Sequence, residues 1–574
     1  MHWNKYWIIL RWRDNMNYQQ FAGILNKFSK RAIIKLLGDK IYDSIKEWTD
    51  AEEAHTQSSL VDILISINGF NLFKNKEFRE IFFECLELSD LQKLLRTDST
   101  NYEQLAKRAA KNDFVQSEFY TILFSEILGC PDYQFDEIEN EGIYEDVCGS
   151  EKKFFELLDY QYLIKQQVVF ELNKTGRLGR KVLVHMPTGT GKTKTTMHIL
   201  THYLNFIKKD GLIIWVAHTK ELLGQALETF KSVWGHLGLR NIGIEKSWGE
   251  GDFTITQGVV FVTIQALQAM RKSKQHIYNQ LCDKVSLMVY DECHKIGAKE
   301  TNKVIQDFTK STESNRKDFI GLTATPGRTT EDSLENRIFN EFFDRKIGID
   351  IKLVDRISMG QNHARNNATA LDVISYFQQR KILSRLIKET LQYEVDSELL
   401  EKLKKEFLSK KEDYTPELIT QIAANKSRNT VILNRLKELN TQGKPTIVFA
   451  CSLDHAKMLS AFLNIEHIPN SLVYGDMSSA SRKKAISDFK DRDNPVNIII
   501  NYDILTTGFD STNIDCVFIT RPTKSVILYS QMIGRGLRGP QMGGAETCLL
   551  IDVKENLEVY DENEAFSHFN SYWR

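Results

Sequence analysis

Short, β-rich apolar runs recur between residues 181 and 553, and segments long enough for a helix separate them. KVLVHM (181–186), LIIWVA (212–217), GVVFVT (258–263), LMVYD (287–291) and FIGLT (319–323) form a first group. PTIVFA (445–450), SLVYG (471–475), VNIIIN (496–501), CVFIT (516–520) and CLLIDV (548–553) form a second. A strand that is apolar throughout, rather than alternating, is buried on both faces, and helical crossovers are what cover both faces of a parallel sheet. The pattern therefore predicts an α/β chain with two parallel-sheet domains. No repeat of 20–50 residues relates the two groups.

The flanking segments read differently. FAGILNKFSKRAIIKLLGDKIYDSIKEW (21–48) and QLAKRAAKNDFVQSEFYTILFSEIL (104–128) place apolar residues at three- and four-residue intervals, which predicts helices. Residues 131–150 are acidic and open on Pro131, as a linker would. Residues 366–440 turn charged and helical. The expected organisation is an all-α accessory domain over 1–150, a first α/β domain over 151–355, a helical insert over 356–427, and a second α/β domain with a short tail over 428–574.

Composition narrows the class. At 42% hydrophobic and 26% charged the chain has a soluble globular make-up. Its eight cysteines include no C-x-x-C pair, which argues against a zinc site or a disulfide framework and fits a reducing, cytoplasmic setting. The N-terminal apolar stretch is too short for a signal peptide, and no run of 18 apolar residues exists to span a membrane. Net charge is −1, but residues 1–150 hold 17 Lys+Arg against 25 Asp+Glu, leaving the remainder mildly basic. A nucleic-acid contact is thus expected of the remainder, and a protein contact or a gating role of the acidic N-terminal part.

Two local motifs point to phosphate chemistry. In KVLVHMPTGTGKTKTTMHIL a strand leads through a Gly-rich turn into a helix. Thr188, Gly189, Thr190 and Gly191 would bring backbone amides up to a phosphate, Lys192 would reach the β- and γ-phosphates, and the Thr193 hydroxyl would ligate Mg²⁺. Met186 stands where the usual pattern has its first glycine. The second motif is KVSLMVYDECHKIG (284–297), where an apolar strand ends in two adjacent carboxylates. Like charges at a buried strand end are costly unless a cation joins them. Asp291 would hold the Mg²⁺ that Thr193 also ligates, and Glu292 would orient and deprotonate an attacking water.

Eight motifs occur in one order: DYQ (159–161), MPTGTGKT (186–193), AHTKELLGQ (217–225), VTIQAL (262–267), DECH (291–294), GLTATP (321–326), TTGFD (506–510) and QMIGRGLRG (531–539). The ordered set resembles superfamily 2 helicases and translocases of the DExD/H type. It looks closest to the ATPase subunits of type I and type III restriction enzymes and to XPB-like helicases. The resemblance covers about 153–355 and 428–555, and implies two RecA-like domains that use ATP and Mg²⁺. It further implies that Gln161 reads adenine and that His294, Thr323 and Thr325 couple hydrolysis to movement. Thr219, Thr263 and Gln265 from the first domain, with Ser452 and Thr506 from the second, would touch a nucleic-acid backbone. Gly508 and Asp510 would approach the nucleotide. Gln531, Arg535 and Arg538 would complete the site, the two arginines as fingers on the transferring phosphate.

What such a chain acts on follows less directly. DNA, and duplex DNA in particular, is the expected track, with a role in antiviral defence or repair beside a partner nuclease or effector subunit. An ATP-gated nucleic-acid sensor signalling through residues 1–150, and an RNA helicase, are the alternatives. MRKSKQH (270–276) could add a basic rim or be a solvated helix end. Trp3, Tyr6, Trp7 and Trp12 could be core or a partner surface. Pro131-Asp132 and Glu151-Lys152-Lys153 spell a nuclease-like pattern off any expected strand, and read as coincidence.

Overall fold

The computed structural model describes residues 18–48, 55–131, 133, 135, 143–149, 155–176, 178–247, 255–311, 315–325, 339–358, 372–395, 397–409, 413–506, 509 and 511–553. The aromatic N-terminus, Gly508, Asp510 and the Glu151-Lys152-Lys153 run lie outside these residues.

Eight strands make the first sheet: β1 (Ile143–Val147), β2 (Lys181–His185), β3 (Leu212–Ala217), β4 (Ile242–Ser247), β5 (Gly258–Thr263), β6 (Val285–Asp291), β7 (Asp318–Thr323) and β8 (Arg345–Ile347). Their spatial order is β1-β4-β5-β3-β6-β7-β2-β8. Six make the second: β9 (Arg385–Leu391), β10 (Thr446–Phe449), β11 (Asn470–Val473), β12 (Ile498–Asn501), β13 (Cys516–Ile519) and β14 (Thr547–Val553). They run in the order β11-β12-β10-β13-β14-β9. All named pairings are parallel except β1 with β4. Central strands such as β3, β5, β6 and β7 are buried at every position, as their unbroken apolar runs require.

Two strands lie where the sequence suggested otherwise. The acidic stretch read as a linker supplies β1, and the stretch read as a helical insert supplies β9 at the far edge of the second sheet. Both are edge strands, half exposed to water. RLIKETL in β9 can therefore keep charged side chains that a central strand could not bury, and those charges hide it from a reading based on apolar runs.

Residues 18–48 and 55–131 are helical, as expected, around a phenylalanine-rich core in which Phe21, Phe73, Phe78 and Phe82 pack ring against ring. That core is continuous with the second sheet through Ala456, Leu459 and Leu463 of the helix Leu453–Ile465. Asn464 Nδ2 donates to Ser66 Oγ at 2.7 Å, and the Ser478 amide donates to Asn71 Oδ1 at 3.3 Å. The N-terminal helices are therefore built onto the second α/β domain. No helix among the described residues is long and apolar enough to cross a membrane.

Candidate nucleotide site at the domain seam

Ligands of open α/β sheets sit beyond the C-terminal strand ends. The tip of β2 delivers the phosphate loop, which runs into the helix Lys192–His202. Gly189 and Gly191 take φ values of 84° and 80°, in the left-handed region where a side chain strains the backbone. A Cβ on Gly191 would also come within 2.4 Å of Gln161 Nε2. The loop is braced from within and from behind. Thr190 Oγ1 donates to Pro187 O at 2.7 Å, and Thr190 O accepts from Tyr160 OH at 2.8 Å and Gln161 Nε2 at 2.9 Å. Gln161 Oε1 accepts from the Leu158 amide at 3.0 Å, so both ends of this amide are engaged in holding the loop. Met186, in the place of the usual first glycine, is fully buried, and its amide donates to Thr323 O at 3.2 Å. That bond ties the phosphate loop to β7.

Two strands over, β6 ends at Asp291. This carboxylate is 4% exposed and accepts from the Glu292 amide at 3.0 Å. Burial pushes its pKa up to about 6, against the pull of Lys192 and with a further push from Glu292. Glu292 adopts φ 54°, a conformation that costs a non-glycine residue about 1–3 kcal/mol. The turn aims its carboxylate at Lys192 Nζ, 3.6 Å away, and at His294 Nδ1, 3.3 Å away. His294 Nδ1 lies 3.3 Å from Thr323 Oγ1. Thr323 Oγ1 donates to Thr325 O at 2.8 Å and accepts from the Thr325 amide at 3.0 Å. Lys192, Glu292, His294, Thr323 and Thr325 thus form one connected chain of polar contacts. A buried carboxylate whose ionisation burial opposes is a fitting ligand for a divalent cation, which would restore the charged form.

The second domain meets this loop. A Cβ on Gly534 would stand 2.7 Å from Thr188 Cγ2, and one on Gly189 would stand 3.6 Å from Arg538 Cγ. Arg538 therefore enters the seam and Arg535 directly follows Gly534 there, while both guanidinium groups bond to backbone of their own domain. Arg535 Nη1 donates to Phe509 O at 2.5 Å and Nη2 to Thr506 O at 2.8 Å, while Arg538 Nη1 donates to Ser511 O at 2.6 Å. Gln531 Nε2 is buried and has no hydrogen-bond partner among the described residues. A buried donor left unpaired costs about 1–3 kcal/mol, which a polar ligand in the seam would recover.

The remaining expected residues spread along the sheet tips. Thr219, Thr263 and Ser452 cap the helices Lys220–Leu237, Ile264–Ser273 and Leu453–Ile465, accepting from the Leu222, Ala266 and His455 amides. Each marks a helix N-terminus, where amide dipoles attract a phosphate. Gln265 is exposed, whereas Thr506 is buried with its hydroxyl 3.5 Å from Asp503 O. Of the basic run at 270–276, Arg271 pairs with Asp307 at 2.8 Å. Two contributors escaped the sequence reading. Tyr160 braces the loop from inside the DYQ motif, and Arg482 on the helix Ser479–Lys490 pairs across the seam with Glu221, two residues after Thr219. Nothing in the spacing of Arg482 signals that contact.

Residues 154–328 match the family model described as type III restriction enzyme, res subunit, and residues 428–539 match the helicase conserved C-terminal domain. The mitochondrial ATP-dependent helicase irc3, so named in Schizosaccharomyces pombe, is 27% identical over 386 residues, which is 66% of this chain and 54% of that protein. The EcoKI endonuclease subunit, from a type I restriction enzyme of Escherichia coli K12, is 25% identical over 420 residues, 67% of this chain and 33% of that protein. A solved fragment titled as an HsdR subunit of a type I restriction enzyme from Vibrio vulnificus aligns at 18% identity with a TM-score of 0.45, covering 69% of this chain and 64% of that one. The chain spans a third to about half the length of the two curated relatives.

Proposed function

The chain belongs to the superfamily 2 helicases, related to restriction-enzyme ATPase subunits, and from that premise we propose that it is a nucleic-acid-dependent ATPase that moves along duplex DNA. The observation that carries the proposal is the seam itself, where Gly534 and Arg538 of one domain press on Thr188 and Gly189 of the other. A site completed from two domains hydrolyses ATP only when they close, so each turnover opens and closes the molecule.

The residues divide the work as follows. Amides of Thr188–Gly191 and the Lys192 ammonium bind the phosphates. Thr193 and Asp291 would hold Mg²⁺, which would neutralise charge on the phosphate oxygens. Glu292, held by Lys192 and His294, orients the attacking water and takes its proton. Gln531 offers its amide Nε2, which has no partner among the described residues, to the nucleotide. Arg535 and Arg538 leave the Thr506, Phe509 and Ser511 carbonyls for the transferring phosphate, a placement worth about 10³–10⁵ in rate. Because the loop that releases them includes Thr506, hydrolysis and the nucleic-acid face share one loop. Helix N-termini at Thr219, Thr263 and Ser452 grip a backbone without reading its sequence. His294, Thr323 and Thr325 relay events at Glu292 to β7.

The likeness to a type I restriction endonuclease subunit supports DNA as the track, a partner nuclease or effector, and a place in antiviral defence or repair. One observation favours the sensor alternative. The helical N-terminal domain shares a core with the helix that Ser452 caps, so a grip on nucleic acid is felt there directly. Strand-displacement and triplex-disruption assays separate the two. The motor displaces a strand while ATP is hydrolysed, and the sensor hydrolyses ATP without displacement.

A further inference from the structure

The segment joining the two sheets touches both halves of the seam within five residues. On the first domain, Arg380 Nη2 donates to Asp159 Oδ1 at 2.9 Å, and Arg380 Nη1 donates to Tyr376 OH at 3.1 Å. Phe377 packs on Tyr160 with ring centroids 4.7 Å apart. Asp159 opens the helix whose next two residues, Tyr160 and Gln161, hold the phosphate loop at Thr190 O. Asp159 Oδ1 also accepts the Tyr160 amide at 2.8 Å, so one carboxylate oxygen serves both contacts.

The next residues turn to the second domain. Lys381, at φ 56°, redirects the chain. Lys381 O and Ile382 O accept from the Gln541 and Gly539 amides at 3.0 and 2.9 Å. The Ser384 amide donates to Leu537 O at 3.0 Å, and Leu383 forms an antiparallel bridge with Arg538. Ser384 is fully buried, and its Oγ lies 2.6 Å from both Arg538 O and Ala545 O. The loop bearing Arg538 is thus stapled to a segment whose other end is pinned by Arg380.

We propose that Arg380 is a positioning residue for ATP hydrolysis: its pairing with Asp159 registers the 381–384 staple, and with it Arg538, against the phosphate loop. The inference rests on the ATPase reading above. Arg380 touches none of the phosphate-binding groups, so it acts through Asp159 and the staple. It makes the seam depend on an ion pair that is 27% and 22% exposed, sheltered enough to matter and open enough to break during a cycle.

The test uses the full chain as Arg380→Ala, Arg380→Lys, Asp159→Asn and the double variant R380A/D159N. Asn at 159 keeps an oxygen for the Tyr160 amide and loses only the charge, so it stands if Arg380→Ala perturbs folding. Hydrogen exchange of peptides spanning 537–543 is measured without nucleotide. Steady-state kcat and KM for ATP are measured with DNA. The proposal expects faster exchange at 537–543 and kcat lowered about tenfold with KM nearly unchanged. It expects partial recovery in Arg380→Lys and a double variant no worse than either single one. Unchanged exchange, additive losses, or a rise in KM with kcat intact would overturn it. Faster exchange in Arg380→Ala beside a wild-type chain that hydrolyses no ATP supports the staple and overturns the ATPase reading instead.

Discussion

Glu292 is held in a left-handed turn that aims one carboxylate at Lys192 and His294, while its neighbour Asp291 is buried with a raised pKa. Both features lower the stability of the nucleotide-free chain, and on the proposed function both prepare it for phosphate and metal. The pH dependence follows. With a folded pKa of about 6 against an ordinary value of 3.8, Asp291 binds its proton more tightly in the folded state, so its contribution to stability falls as pH rises from about 4 to 6 and stays low above that. Asp291→Asn should therefore raise the melting temperature of the nucleotide-free chain at pH 7, by roughly 1–3 kcal/mol of stability, while abolishing turnover. Calorimetry and ATPase assays on one preparation check both; a lower melting temperature would contradict the burial argument. Glu292→Gln should retain nucleotide binding and lose hydrolysis, whereas Lys192→Ala should lose affinity as well, as fluorescent-nucleotide titration would show. Lys192, Asp291, Glu292, His294, Thr323 and Thr325 were legible because each follows an apolar run that fixes its place at a strand tip. Where the Arg535 and Arg538 guanidinium groups rest was not legible, because they bond to backbone carbonyls, which any residue type supplies.

Strands were legible where an unbroken apolar run marks them. All ten apolar runs became strands of the two sheets. Four strands escaped: β1, β8 and β9 lie at sheet edges that tolerate charge, and β4, next to the edge, interrupts its apolar pattern with Glu245 and Lys246. The helical N-terminal part was readable as helix, but its attachment was not, since packing partners leave no periodic trace in one sequence. That attachment has a consequence at the scale of elements. Ser66 and Asn71 bond to Asn464 and the Ser478 amide, and a shared apolar core lies beneath. Removing residues 1–130 should expose that core and yield aggregated chain, which size-exclusion chromatography would show; a soluble, monomeric truncation would mean the helices are a separable module. Ser384→Ala should keep the fold, since the change is small, but loosen the arginine loop. Hydrogen exchange at 537–543 should rise with kcat falling.

At the scale of the molecule, the proposed nucleotide site lies between two domains. The resemblance carried by eight ordered motifs implied two domains and their chemistry, whereas the contacts that close the seam came only from the structure. Glycine is what permits one of them, since Gly534 meets Thr188 where a Cβ would collide. Gly534→Ala should hold the domains apart by a fraction of an ångström. A misplacement of about 1 Å can cost 10²-fold in rate, so kcat should fall steeply while nucleotide affinity, set by the first domain, holds. Arg482 and Glu221 bridge the same seam beside Thr219, where a nucleic-acid backbone would lie, so occupancy of that face and closure should rise together. The most direct test of the whole account is steady-state ATPase activity of the full chain with no nucleic acid, single-stranded DNA, duplex DNA and duplex RNA. Low activity alone and strong stimulation by duplex DNA, lost in Arg538→Ala, are expected; activity indifferent to every nucleic acid, or undiminished in Arg538→Ala, would contradict the proposed function.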